Sequence, residues 1–330
     1  MCMRHRLLLL CLTFSFATCT EQASPEQARA KLQERKIPFT EMAFLEAFSA
    51  YRLQEVQWFL EAGMQPDVAD GAAWRIGIQK NYFQPTNLLM LHGAKPDQVF
   101  SDGFIPLVEA SAYGRTRIVT RMMAYEPKVD VQDLWGRSPL MMGAKSGNAY
   151  VVEQLLQGNP ALEATDQTRR TALQFAIQRN HTTVTNLLLD AGANVNVGDQ
   201  QATPPLVSAS YLGNVSLVNL LLKKGANPNA TNATGYTALM AAVRANQMAV
   251  VDALLTAGAD PNRRNVEGWQ GGTALHLAAQ QHNKAIMEKL KVAGANPNIT
   301  DHFGQTADAL LIRNEAVLDP AKQITLKPLK

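Results

Sequence analysis

One position returns along this chain at near-constant spacing, and a period of about 33 residues restricts a chain to arrays of small supersecondary units. With Thr171 in T-A-L-Q-F-A as the reference position, its equivalents are Met42, Ala72, Ile105, Ser138, Pro204, Thr237, Thr273 and Thr306. The intervals are 30 residues, five of 33, then 36 and 33, so nine units fill residues 38 to about 318. Three other features keep a fixed offset from the reference. A small residue lies five on: Ala47, Gly77, Ala110, Gly143, Ala176, Ala209, Ala242 and Ala278. An apolar pair lies 17 and 18 on, as in Met122-Met123, Leu188-Leu189 and Leu221-Leu222. A glycine lies 21 on: Gly63, Gly93, Gly192, Gly225, Gly258 and Gly294. The small residue lets two helices approach, the apolar pair fills the core face of the second helix, and the glycine supplies the left-handed residue that ends it.

The stretch N-A-T-G-Y-T-A-L-M-A-A-V-R-A-N-Q-M-A-V-V-D-A-L-L-T-A-G-A-D-P-N at 232–262, and T-A-L-H-L-A-A at 273–279, resemble the ankyrin repeat. The resemblance is specific over 133–300 and weaker before Asp102. It implies an all-α solenoid of about nine helix-turn-helix units with β-turn fingers, each unit stable only through its neighbours. Departures stand out: Glu126 and Asn159 replace the helix-ending glycine, three extra residues near Trp269 to Gly272 lengthen one finger, and Asp308 and Leu311 mark a capping last unit. The family also places His276 against backbone of the neighbouring finger, a structural role.

Before the repeats, Arg4 and Arg6 precede the apolar run 7–17, with small residues Ser15 and Ala17, the layout of an export signal. Residues 1–18 are accordingly expected to be a signal peptide. All three cysteines, Cys2, Cys11 and Cys19, lie in the first 19 residues, so the mature chain has no internal disulfide and no Cys-based metal or redox site. F-A-T-C at 16–19 resembles a lipoprotein lipobox, with Thr18 off the pattern. A lipid on Cys19 and a soluble product cut near Ala17 both stay open, in the periplasm or envelope. Residues 19–37 are polar, a tether or a short first helix, and 319–330 form a C-terminal tail.

The chain has 31 basic and 28 acidic residues. That balance gives no reason to expect nucleic acid as a bulk partner. No nucleophile elbow, zinc-protease helix, phosphate loop or dinucleotide fingerprint is present, so no catalytic residue, cofactor or metal ligand is expected. Met122-Met123 and Met141-Met142 read as core filling.

What varies between units is the surface that ankyrin proteins use for partners, at offsets −4, −3, −1, +7 and +8. Over eight units these 40 positions carry seven basic residues (Lys80, Arg137, Lys145, Arg170, Arg179, Arg244 and Arg313) and one acid, Asp102. Seven are aromatic: Phe104, Tyr113, Trp135, Tyr211, Tyr236, Trp269 and Phe303. Arg with Trp and Tyr is the composition of protein-binding hot spots. The expected function is a non-enzymatic scaffold of the bacterial envelope. It would grip an acidic protein surface through Phe104, Tyr113, Trp135, Arg137, Lys145, Arg170, Arg179, Tyr211, Tyr236, Arg244 and Trp269, and touch the membrane only through Cys19. An immunity protein or inhibitor of a toxin enzyme, and a host-directed effector, are the alternative roles.

Overall fold

A computed structural model describes residues 23–265 and 271–318. Among the described residues are 18 helices and no strand, with isolated bridges Thr231–Thr237 and Thr300–Thr306. The signal segment, Cys19, the Trp269 finger tip and the tail 319–330 lie outside them. The chain divides into two compact units, 1–94 and 95–330.

The first unit holds α1 (Pro25–Glu34), α2 (Glu41–Ser49), α3 (Leu53–Glu61), α4 (Val68–Gln79) and α5 (Phe83–Leu91). Helix α2 packs on α4, while α1 packs on α3 and α3 on α5. Residues 25–34 are thus a docked helix, the second of the two forms expected within 19–37, and not a tether. The reason is local: a Ser24–Gln27 capping box starts the helix, and Ala28 and Leu32, one turn apart, are buried. Arg35 and Lys31 lie over the Trp58 ring at 5.0 and 5.8 Å, and Arg29 Nε donates to the Ala62 carbonyl at 3.2 Å. In α4 the residues Ala69, Asp70 and Gly71 are left-handed, and regular helix resumes at the reference position Ala72. This turn stands where other units have a finger, which accounts for the short 30-residue interval.

The second unit holds α6 (Pro106–Ala112), α7 (Thr116–Met123), α8 (Pro139–Ser146), α9 (Ala149–Leu156), α10 (Ala172–Gln178) and α11 (Thr182–Asp190). It continues with α12 (Pro205–Leu212), α13 (Val215–Lys223), α14 (Ala238–Arg244), α15 (Met248–Thr256), α16 (Ala274–Gln280), α17 (Lys284–Val292) and α18 (Ala307–Leu318). The first helix of each repeat packs on the next first helix, from α6 through α18. The second helices α7, α9, α11, α13 and α15 form a parallel layer.

In the second unit the reference position is the N-cap of the first helices that start at 106, 139, 172, 205, 238 and 274. Ser138, Thr171 and Thr237 each accept the N–H three residues on, and Pro106, Pro139 and Pro205 open the helices that have proline there. In the second unit these first helices end at a left-handed residue nine on from the reference: Gly114, Gly147, Asn180, Gly213, Asn246 and His282. Glycine and asparagine tolerate that conformation; His282 is the exception. Glu126 and Asn159 do adopt the left-handed form of the glycine they replace, with φ of 50° and 51°. Pro127 and Pro160 follow them and cannot donate the backbone bond that Ala226 and Ala259 give to Leu221 and Leu254. Helices α7 and α9 are eight residues long where α11, α13, α15 and α17 are nine.

Close approach explains the small residue at +5. A Cβ on Gly143 would lie 3.2 Å from Leu155 Cδ1 on α9, and Ala110, Ala176, Ala209, Ala242 and Ala278 are fully buried. The apolar pair is unequal. Its first member is buried in every repeat where it is described, including Met122 and Leu221, whereas the second varies: Leu60, Met90 and Leu189 are buried, Met123 and Leu222 half-buried. Leu222 is therefore not the core residue that the pairing suggested, because the second layer faces its neighbours on one side only. Met141 and Met142 are buried, as core filling requires.

Repeats are tied laterally by a side-chain ladder. At offset +25 an oxygen accepts the N–H at +23 of the following repeat: Asp97 from Lys128, Asp130 from Ala161, Glu163 from Asn194, Asn196 from Asn227, Asn229 from Asp260 and Asn262 from Asn296. The three asparagines also donate to the carbonyls of Gly225, Gly258 and Gly294.

Capping side chains add a second tie. Gln174 Oε1 accepts the Thr171 N–H, and its Nε2 donates to the Val197 carbonyl. His276 does the same work: Nδ1 accepts the Thr273 N–H and Nε2 donates to Gln305 in the next finger. Burial first of all holds the His276 pKa below its ordinary 6.5.

Two outcomes test this packing. Leu221→Ala should cost about 2 to 5 kcal/mol of unfolding free energy, and Leu222→Ala clearly less, measured by denaturant unfolding. An equal loss from both would place the core register wrongly. Because the folded His276 binds its proton more weakly than the unfolded residue, its contribution is present above pH 6.5 and is lost as pH falls through the folded pKa. The variant His276→Gln, which copies Gln174, should keep neutral-pH stability and lose less than wild type on acidification; identical pH profiles would refute this.

Candidate protein-binding face

The fingers between repeats carry most of the anticipated contact residues, and in several of them one acid five residues before the reference position sets the shape. Asp133 Oδ1 accepts the N–H groups of Trp135 and Arg137, both at 2.9 Å, while Oδ2 receives Arg137 Nε at 2.7 Å. Asp166 repeats the pattern: Oδ1 accepts the N–H groups of Thr168 and Arg170, and Oδ2 takes a two-pronged contact from Arg170 at 3.0 and 2.8 Å. Burial raises the Asp166 pKa, but the Arg170 backbone and side-chain bonds, with Thr168, outweigh it and hold the carboxyl below its usual range. Adjacent fingers are stitched by backbone bonds, Gln167 N–H to Trp135 O, Gln200 to Thr168, and Ala233 to Gln201.

This geometry changes the charge balance that the sequence suggested. The acids sit at offset −5, next to the positions compared, so Arg137 and Arg170 are paired within their own fingers. Both still project from the face: Arg137 lies over the Trp135 ring at 4.3 Å and Arg170 over Phe175 at 4.4 Å. Lys145 and Arg179, at the ends of α8 and α10, have no carboxylate partner among the described residues. Desolvation first, and then the charges of Arg137, Arg179 and Arg170, lower the Lys145 pKa. Trp135 stands 56% exposed beside them.

Two repeats further on, a pocket of about 350 Å³ is lined by Gln178, Gln201, Tyr211, Asn232, Tyr236 and Arg244, among others. Tyr211 is 55% exposed. Tyr236 is half-buried and its hydroxyl donates to the Met240 carbonyl at 3.2 Å; burial raises its pKa, against the lowering influence of Arg244 beside it.

Other expected contacts fall elsewhere. Phe104 is 8% exposed and packs on Phe100 at 5.6 Å, so it is a core residue and not an anchor. Its finger lacks the acid at −5, where Phe100 stands, and the two rings fill that place. Tyr113 is exposed under Arg115. Lys80 lies in the first unit, where its Nζ bonds the Ser49 carbonyl and hydroxyl. Phe303 and Arg313 are exposed at the last repeat. Trp269 and Cys19 lie outside the described residues. The sequence reasoning missed Gln178, Gln201 and the finger acids; the recurring D-x-x-G of 133–136 and 301–304 is the signal for the acids.

Among the described residues no group of three His, Cys, Asp or Glu is placed to hold a metal, and no helix is long and apolar enough to cross a membrane. A family model for ankyrin repeats, three copies per match, fits residues 107–199, 140–232 and 206–301, more than half of the chain. The chain belongs to the ankyrin-repeat family. Among solved structures, the human ASB11 ankyrin repeat domain is similar at 24% identity and a TM-score of 0.60, over 68% of this chain and 98% of that one. No curated protein matches the chain. Ankyrin repeats form a protein-interaction scaffold.

Asp166→Ala should destabilise the protein by about 1 to 3 kcal/mol, because it leaves finger N–H groups and Arg170 without their acceptor. Arg170→Ala should cost less, since Asp166 keeps its backbone donors. Thermal unfolding of the two variants checks the order, and the reverse order would contradict the finger geometry.

Proposed function

We propose that this ankyrin-repeat protein is a non-enzymatic scaffold of the bacterial envelope that grips a protein partner with an acidic surface. One observation carries the proposal: Lys145 and Arg179 have no carboxylate partner among the described residues, and Lys145 feels the charges of Arg137, Arg179 and Arg170, near the exposed ring of Trp135. The two fingers bury their own acids, so positive charge is what this face offers to a partner. The aromatic and Arg side chains supply the large, rigid contact area on which hot spots depend. Like charges held together in the free protein are relieved when an anionic surface arrives, so association should slow as salt rises. The envelope location rests on the basic start, the apolar run 7–17 and the confinement of cysteine to the first 19 residues.

The test is the double variant Trp135→Ala with Arg179→Glu. Both side chains are exposed, so folding should survive with changes near 0.5 kcal/mol per site. Capture of the partner from an envelope extract should weaken by about 2 kcal/mol or more, roughly 30-fold. A folded variant that retains every partner at wild-type affinity would sink this face as the binding site. Mass spectrometry of the N-terminus decides export separately: an intact Met1 on cytosolic protein ends that part, and lipid on Cys19 identifies an anchor.

A further inference from the structure

The face is not uniform along the stack, and its two halves ask for different chemistry. On α8 and α10 it offers the cations Lys145 and Arg179, without a carboxylate partner among the described residues. At α12 and α14 it offers the pocket, with Tyr211 and Tyr236 and the apolar Val207 and Leu212 in its walls and no acidic residue among those lining it. Gln178 and Gln201 stand at this pocket with side-chain amides that bond nothing among the described residues. A primary amide presents a donor and an acceptor together, the complement of a peptide backbone and not of a carboxylate. At about 350 Å³ the pocket admits one or two side chains and not a folded surface.

We infer that the occupant is an extended peptide segment of the partner, with acidic residues over Lys145 and Arg179 and an aromatic or branched aliphatic side chain in the Tyr211–Tyr236 pocket. This rests on the scaffold function proposed above and narrows it. The spacing follows from the stack. The two sites are two repeats apart, and packed helices lie about 8 to 10 Å from one another, giving about 16 to 20 Å. An extended chain rises about 3.3 Å per residue, so the acidic group and the apolar side chain sit about five or six positions apart. Between them the glutamine amides meet main-chain groups, which selects for extended backbone and not for a particular side chain.

A displayed library of random dodecapeptides, selected against the full mature chain, tests this. Enriched peptides should carry Asp or Glu about five or six positions from an aromatic, Leu, Ile or Val. Against the variant Lys145→Glu with Arg179→Glu, the acidic preference should vanish and the apolar one persist. Against Tyr211→Ala, the reverse should hold. A synthetic peptide of the enriched pattern should bind the charge-reversed variant at least tenfold more weakly than wild type, with far-UV spectra confirming that each variant is folded. Enriched peptides without acids, with acid and apolar residue adjacent, or with preferences that neither variant changes would overturn the inference. If no peptide is enriched while Trp135 and Arg179 still govern capture of the intact partner, the segment falls and the scaffold function stands. If capture is insensitive as well, both fall.

Discussion

Successive repeats of the second unit, as far as Asn262, are held together by a side-chain oxygen at one fixed offset, which accepts the backbone N–H two residues past the left-handed residue that follows the next repeat's second helix. A repeat of about 33 residues cannot enclose a core, so its apolar face has to be covered by a neighbour in one register. Hydrophobic contact alone is tolerant of sliding; a hydrogen bond between a side chain and one particular N–H is not. The ladder therefore fixes register while the buried leucines supply most of the stabilisation. Its chemistry changes along the stack. Asp97, Asp130 and Glu163 accept only, whereas Asn196, Asn229 and Asn262 accept and also donate to a glycine carbonyl. A carboxylate has no hydrogen to donate, so the acidic rungs make one bond each where the asparagine rungs make two.

Rigid stacking is what turns a row of side chains into a surface. The positions that vary between repeats are those not needed for capping, close approach or the ladder, so they are free to encode a partner. The fingers show how the two demands meet in one element. Asp133 and Asp166 serve the fold by accepting backbone N–H groups, and with the remaining oxygen they position Arg137 and Arg170. The guanidinium groups are held in place before any partner arrives, over Trp135 and Phe175. Less side-chain freedom is then lost on binding. Lys145 and Arg179 differ in having no such partner among the described residues.

The sequence by itself determined the repeat, its period, the helices and most of the core, because each of these depends on residues near one another in the chain. N-caps at Thr171 and Thr237, small residues at Ala176 and Ala242, and glycines at Gly225 and Gly258 each have a local cause that any copy of the repeat must satisfy. The left-handed position filled by Gly147, Asn180 and Asn246 was equally local and was open to the same reasoning. Tertiary structure decided what depends on neighbours across space. It buried Phe104 against Phe100 and left Leu222 half-exposed, since whether an apolar side chain is covered depends on the adjoining layer. It docked residues 25–34 on α3, because Ala28 and Leu32 make a stripe too short to stand out from its polar flanks. It separated the paired cations Arg137 and Arg170 from the unpaired Lys145 and Arg179, a distinction of distance and not of residue type.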